Sequence, residues 1–159
     1  MNYISLLVKL VCFLAFCLGT INSKAQATTN PQYDSLLAQK LGGNEWGMKN
    51  YVFVILKTGK NKTTNQAFKD SCFRSHMQNM DSLVAKGKLI VAGPMAKNEM
   101  EFRGIFILNA PNFKEAEAML KTDGAIKEQL LEPIFFTWFG SAALSEYLPY
   151  ADKIWRSKP

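Results

Sequence analysis

Two stretches of the chain are apolar at nearly every position, residues 51–56 (YVFVIL) and residues 134–139 (IFFTWF). Both are too short for an ordinary helix and rich in β-branched and aromatic side chains. Turn residues bound them, Thr58-Gly59-Lys60-Asn61 after the first and Pro133 before the second, so both read as strands. Side chains of a strand alternate between the two faces of its sheet, and a sheet wetted on one face carries polar residues at every second position. These runs do not alternate. Both faces of the sheet they build must therefore be covered.

The residues between them supply one cover. Residues 66–86 form a helix entered from Thr63-Thr64-Asn65 and closed by Gly87, with Phe68, Cys72, His76, Met80 and Leu83 along one side and Phe73 and Val84 at its margin. Residues 88–92 (KLIVA) make a second strand, ended by Gly93-Pro94, and residues 102–108 (FRGIFIL) a third. Asn112 opens another helix with Glu115 in capping-box register, and Phe113, Ala116, Met119 and Leu120 give the apolar spacing. A break at Thr122-Asp123-Gly124 leads into a short helical turn, residues 125–130, before the last strand. The order β-α-β-β-α-β predicts an α+β, ferredoxin-like fold, an antiparallel four-stranded sheet with both helices on one face. The simplest cover for the other face is the same face of a second copy, giving a homodimer of facing sheets, a dimeric α+β barrel. The rival cover is the tail, residues 141–159, which reads as irregular.

The first 27 residues stand apart from this domain in a chain of 159. Lys9 precedes an apolar run, residues 10–18, and small residues follow at Ser23, Ala25 and Ala27, the pattern of a cleaved signal peptide. Only 14 uncharged residues separate Lys9 from Lys24, whereas a membrane-spanning helix needs roughly 20. The expectation is export to the periplasm or the extracellular space, with no membrane attachment after cleavage. Residues 28–50 then read as a polar lead-in with one short helix, residues 34–41, capped by Asp34 and stopped by Gly42-Gly43, and residues 51–140 as the domain. Losing Lys9 and Lys24 takes the formal charge from +6 to +4. The remaining lysines are scattered without interleaved aromatics, which argues against nucleic acid as a partner. Cys12 and Cys17 leave with the signal, so Cys72 remains alone, as a buried apolar residue or a reactive thiol.

One histidine and one mature cysteine do not make a zinc site, and no metal is expected. Thr58-Gly59-Lys60-Asn61-Lys62-Thr63 lacks the first glycine of a phosphate loop, Gly140-Ser141-Ala142 lacks the flanks of a nucleophile elbow, and Asn61-Lys62-Thr63 fits a glycosylation sequon. What remains is His76. On an apolar helix face it serves either as a buried neutral ring bonded to a carbonyl or as a general base, which needs a carboxylate to fix its tautomer. Asp123 is one candidate for that carboxylate, and it is equally well placed to cap the turn that follows it.

Arg74-Ser-His76-Met-Gln-Asn-Met80, Leu83, Gly87-Lys-Leu-Ile-Val-Ala-Gly93-Pro94, Arg103-Gly-Ile-Phe-Ile-Leu108, the Glu115-Ala116 helix and Thr122-Asp123 together resemble the YciI-like (YCII-related) family over residues 51–139. The resemblance implies a dimeric α+β barrel, related in fold to muconolactone isomerase, with a catalytic His-Asp dyad at His76 and Asp123. Activities in the family include a dehydrochlorination in chlorinated aromatic breakdown. Where the family aspartate is followed by proline this chain has Gly124, which predicts a looser turn. The expected function is cofactor-independent proton transfer, an elimination or isomerisation on a small organic acid or lactone by a lyase or isomerase. The alternatives are a non-catalytic dimeric ligand-binding or scaffold protein with a structural histidine, and the monooxygenase or haem-handling chemistry of similar barrels.

Overall fold

The computed structural model describes residues 30–151, 153–154 and 156. The signal-peptide reading of residues 1–27, with Cys12 and Cys17, lies outside them. The chain divides into two units, Met1–Tyr33 and Asp34–Pro159. In the first, only residues 30–33 are described, a turn closed by Tyr33 N–H donating to Asn30 C=O at 3.1 Å.

The second unit holds α1 (Ser35–Leu41), β1 (Met48–Thr58), α2 (Gln66–Ala85), β2 (Leu89–Pro94) and β3 (Phe102–Leu108). It continues with α3 (Phe113–Leu120), α4 (Gly124–Lys127), β4 (Leu131–Ser141), a 3-10 helix (Ala142–Tyr147) and α5 (Leu148–Ala151). The sheet order is β2-β3-β1-β4 with every pairing antiparallel, the ferredoxin-like arrangement. Side-chain caps start the helices as the sequence predicts: Asn65 Oδ1 accepts from Phe68 N–H at 3.1 Å and Asn112 Oδ1 from Glu115 N–H at 2.9 Å.

Alternation along the central strand divides its side chains between two environments. Val52, Val54 and Leu56 join Phe106, Leu108, Leu89, Cys72, Leu83 and Leu120 in the core beneath the helices. Each large aliphatic side chain buried there contributes about 1.5–3 kcal/mol relative to exposure. The odd-numbered residues Phe53 and Ile55 point the other way, beside their cross-strand partners Phe136, Ile134, Ile107 and Ile105. On this outer face Phe136 is 46% exposed and Trp138 36%.

Several boundaries differ from the sequence reading. Gly93 and Pro94 do not end β2 but belong to it, paired with Ile105 and Gly104 of β3, and the turn expected over residues 125–130 is helical over Gly124–Lys127. Met48, Lys49 and Asn50 belong to β1 rather than to a lead-in, because β4 runs on to Ser141 and pairs with them. Pro133 lies inside β4, opposite Leu56, since an edge strand tolerates a residue without an N–H.

The tail is not irregular over residues 142–151. Ser141 Oγ accepts from Ala143 N–H at 3.3 Å to start the 3-10 helix, while Tyr51 OH donates to Ser141 C=O at 2.8 Å. The helix carries the chain from one sheet edge to the other, where Tyr147 OH donates to Ile90 C=O. Ile90 is the extra residue of a bulge in β2, which leaves its carbonyl off the ladder. Tyr51 and Ile90 are both buried. The tail thus straps one end of the sheet and leaves Phe136 and Trp138 uncovered in the single chain. Tyr147→Phe is expected to lower stability by about 1–2 kcal/mol, the cost of an unmade bond to a buried carbonyl. A denaturant midpoint equal to that of the wild type would show that the strap is not latched there.

Candidate active site

His76 sits in the middle of the apolar side of α2, which turns it inward onto the sheet. The residue is 8% exposed, and its ring lies against Phe106 of β3 at 5.8 Å between centroids and 22° between planes. Phe73, one turn earlier, meets the same ring edge-on at 6.1 Å and is itself 42% exposed, so it stands at the surface rather than in the core. Val84 is likewise exposed, which makes the buried stripe narrower than the sequence spacing predicts.

Asp123 is fully buried, and an isolated carboxylate there would be prohibitively costly. Three donors satisfy it. Oδ1 accepts from Ala125 N–H at 3.0 Å and Ile126 N–H at 3.1 Å, the N-cap of α4, while Oδ2 lies 2.7 Å from His76 Nδ1. Capping and pairing with the histidine therefore coexist, each using its own oxygen. A carboxylate only accepts, so Nδ1 carries the proton of the neutral ring and Nε2 keeps its lone pair. Nε2 has no partner among the described residues. No buried polar side-chain atom there goes unpaired, so Nε2 reaches the surface.

The turn that aims Asp123 is tight, not loose. A Cβ on Gly124 would come within 2.6 Å of Ser75 Cβ, 2.9 Å of Ser75 Oγ and 3.0 Å of Cys72 C=O. Glycine lets α4 approach the backbone of α2 closely enough for the carboxylate to reach the ring. On the far side of Asp123, Asn79 of α2 donates to Met119 C=O and accepts from Thr122 OH, both at 3.3 Å. Asn79 and Phe106 were not singled out by the sequence, although Asn79 stands one helical turn after His76.

Other sequence candidates lie elsewhere. Cys72 is a core residue, and burial, with the nearby Glu128 carboxylate second, pushes its thiol up from the ordinary value, which disfavours the reactive thiolate. Asn61 of the sequon spends its side chain internally, Nδ2 donating to Glu128 C=O at 2.8 Å and Oδ1 accepting from Thr63 N–H at 3.0 Å. Trp138 stands on the outer face against Tyr51, with ring centroids 5.5 Å apart. Arg103 points to that same face and donates to Thr58 Oγ1 at 2.7 Å. Among the described residues no three His, Cys, Asp or Glu side chains gather to hold a metal ion, and no helix is long and apolar enough to cross a membrane. A groove of about 370 Å³ between α3 and β4, floored by Leu120, Ile126, Pro133 and Phe135, does not include the dyad.

No family model matches the chain, and no curated protein matches it. Among solved structures, it is similar to 5-chloro-2-hydroxyhydroquinone dehydrochlorinase from Burkholderia phenoliruptrix in complex with 2,5-dihydroxybenzoquinone. That similarity has a TM-score of 0.40 at 21% identity, over 55% of this chain and 92% of the other.

Proposed function

We propose that this chain is an exported, homodimeric YciI-like protein in which His76, oriented by Asp123, acts as a general base on a small organic acid or lactone. The observation that carries the reading is the pairing itself, Nδ1 on a buried carboxylate at 2.7 Å, with Nε2 unpartnered among the described residues. In such a site Nε2 takes a proton from an acidic carbon, and Asp123 compensates the charge that the ring gains. Return of the proton to a second carbon completes an isomerisation. In an elimination the electron pair instead forms a double bond and expels the leaving group, which takes up the proton. Neither course needs an oxidant or reductant, and the exposed Phe73 offers an apolar side chain beside the ring. The sequence resemblance over residues 51–139 supports the same roles for His76 and Asp123.

The test is turnover of a panel of small acids and lactones by the mature protein and by His76→Gln, which keeps a neutral polar side chain of similar length. A loss of roughly 10²–10⁴-fold in kcat/KM is expected, the usual contribution of a general base. Turnover that survives the substitution would contradict the reading.

The homodimer is supported by the apolar outer face, on which the tail covers only one end. Phe136→Lys is expected to convert a species of twice the chain mass into one of single mass in sedimentation. A wild-type protein already of single mass would remove the homodimer from the proposal.

A further inference from the structure

The dyad is assembled from two elements far apart in sequence, so something must hold the Asp123 turn against α2. Gly124 against Ser75 provides one hold, on the C-terminal side of Asp123. On the N-terminal side, α3 ends without a glycine C′ residue or a basic side chain in its last turn; its C-cap, Lys121, has right-handed helical backbone. The last carbonyls of a helix lack partners within it. Met119 C=O is one of them, and Asn79 Nδ2 from α2 takes it at 3.3 Å. The other end of the same amide accepts from Thr122 OH at 3.3 Å, one residue before Asp123. Asparagine is a weak helix former, and here it stands inside a twenty-residue helix, one turn beyond His76 on the side facing α3.

We infer that Asn79 is a positioning residue for the dyad: it caps α3 from the neighbouring helix and fixes Thr122, so that the Asp123 carboxylate meets His76 Nδ1. The inference rests on reading His76 and Asp123 as the working pair, but its test does not require turnover. One histidine gives one set of imidazole signals in the ¹⁵N-labelled mature protein. The signal of Nδ1 hydrogen-bonded to a carboxylate reports the geometry directly.

Asn79→Ala removes both bonds, Thr122→Val removes only the one to Thr122, and Thr122→Ser keeps the hydroxyl. The Nδ1–H resonance is expected to shift upfield or be lost to exchange in the first two variants and to match the wild type in the third. An unchanged resonance in folded Asn79→Ala overturns the inference. Should that variant fail to fold, an unchanged resonance in Thr122→Val overturns it instead. Where a substrate is in hand, kcat is expected to fall roughly ten- to a hundred-fold in Asn79→Ala with KM held, the mark of a misaimed base rather than lost binding. A catalytic failure remains separable: turnover that survives His76→Gln removes the enzyme reading and leaves the resonance shift in Asn79→Ala standing.

Discussion

Asp123→Asn is expected to leave the fold nearly intact and, under the proposed function, to remove most of the proton-transfer activity. Asparagine caps a helix about as well as aspartate, so its Oδ1 takes over the bonds from Ala125 and Ile126 N–H, two contacts that set its orientation. The amide NH₂ then faces His76 Nδ1 and can only donate to it. The ring proton moves to Nε2, and the lone pair that faces the surface is gone. Turnover should fall by about 10²–10⁴-fold, while stability changes by about 1 kcal/mol as one charge-assisted bond becomes a neutral one. Asp123→Ala separates the two roles, because it loses the cap, about 0.5–2 kcal/mol, and strands the buried Nδ1–H, about 1–3 kcal/mol more. Equal activity in the wild type and Asp123→Asn, with a loss of stability in Asp123→Ala, would make Asp123 a cap alone.

Gly124→Ala should be the more disruptive of two small changes at the same turn. The new Cβ would lie 2.6 Å from Ser75 Cβ, which is fixed to the helix backbone and cannot swing aside, so α4 must move away from α2. Overpacking of this kind costs about 1–3 kcal/mol, offset by the few tenths to 1 kcal/mol that alanine recovers by restricting the unfolded chain. The same displacement carries Asp123 away from His76, and activity should fall with stability. Ser75→Gly in the Gly124→Ala background removes the nearer contacts and should restore part of both. Denaturant midpoints and turnover of the three proteins check this, and a Gly124→Ala protein as stable and active as the wild type would contradict it.

How much of this is legible in the sequence follows from the range of each signal. The four strands and both long helices show in local apolar patterning, because periodicity and caps act within one element. Strand ends are less visible: Met48 to Asn50 look polar and become strand only because β4 reaches them. The tail misleads for the same reason, since what orders it are bonds to residues far away in sequence, from Tyr51 OH to Ser141 C=O and from Tyr147 OH to a bulge carbonyl in β2, 90 and 57 residues apart. His76 is marked by its place on an apolar stripe, but spacing says nothing of a carboxylate 47 residues on; the family resemblance supplies that partner. Neither reveals Asn79 or the clearance at Gly124, which depend on how two helices meet. Gly124 even points the wrong way when read alone, as freedom in a turn, where the structure uses its missing side chain for contact.

The central claim is that a buried carboxylate holds the neutral ring of His76 with its proton on Nδ1 and its lone pair outward on Nε2. The direct measurement is the ¹⁵N chemical shift of both ring nitrogens in the mature protein at alkaline pH, compared with Asp123→Asn. The account predicts a pyrrole-type Nδ1 and a pyridine-type Nε2 in the wild type, exchanged in the variant. A wild-type ring protonated on Nε2, or one indifferent to Asp123→Asn, would contradict it.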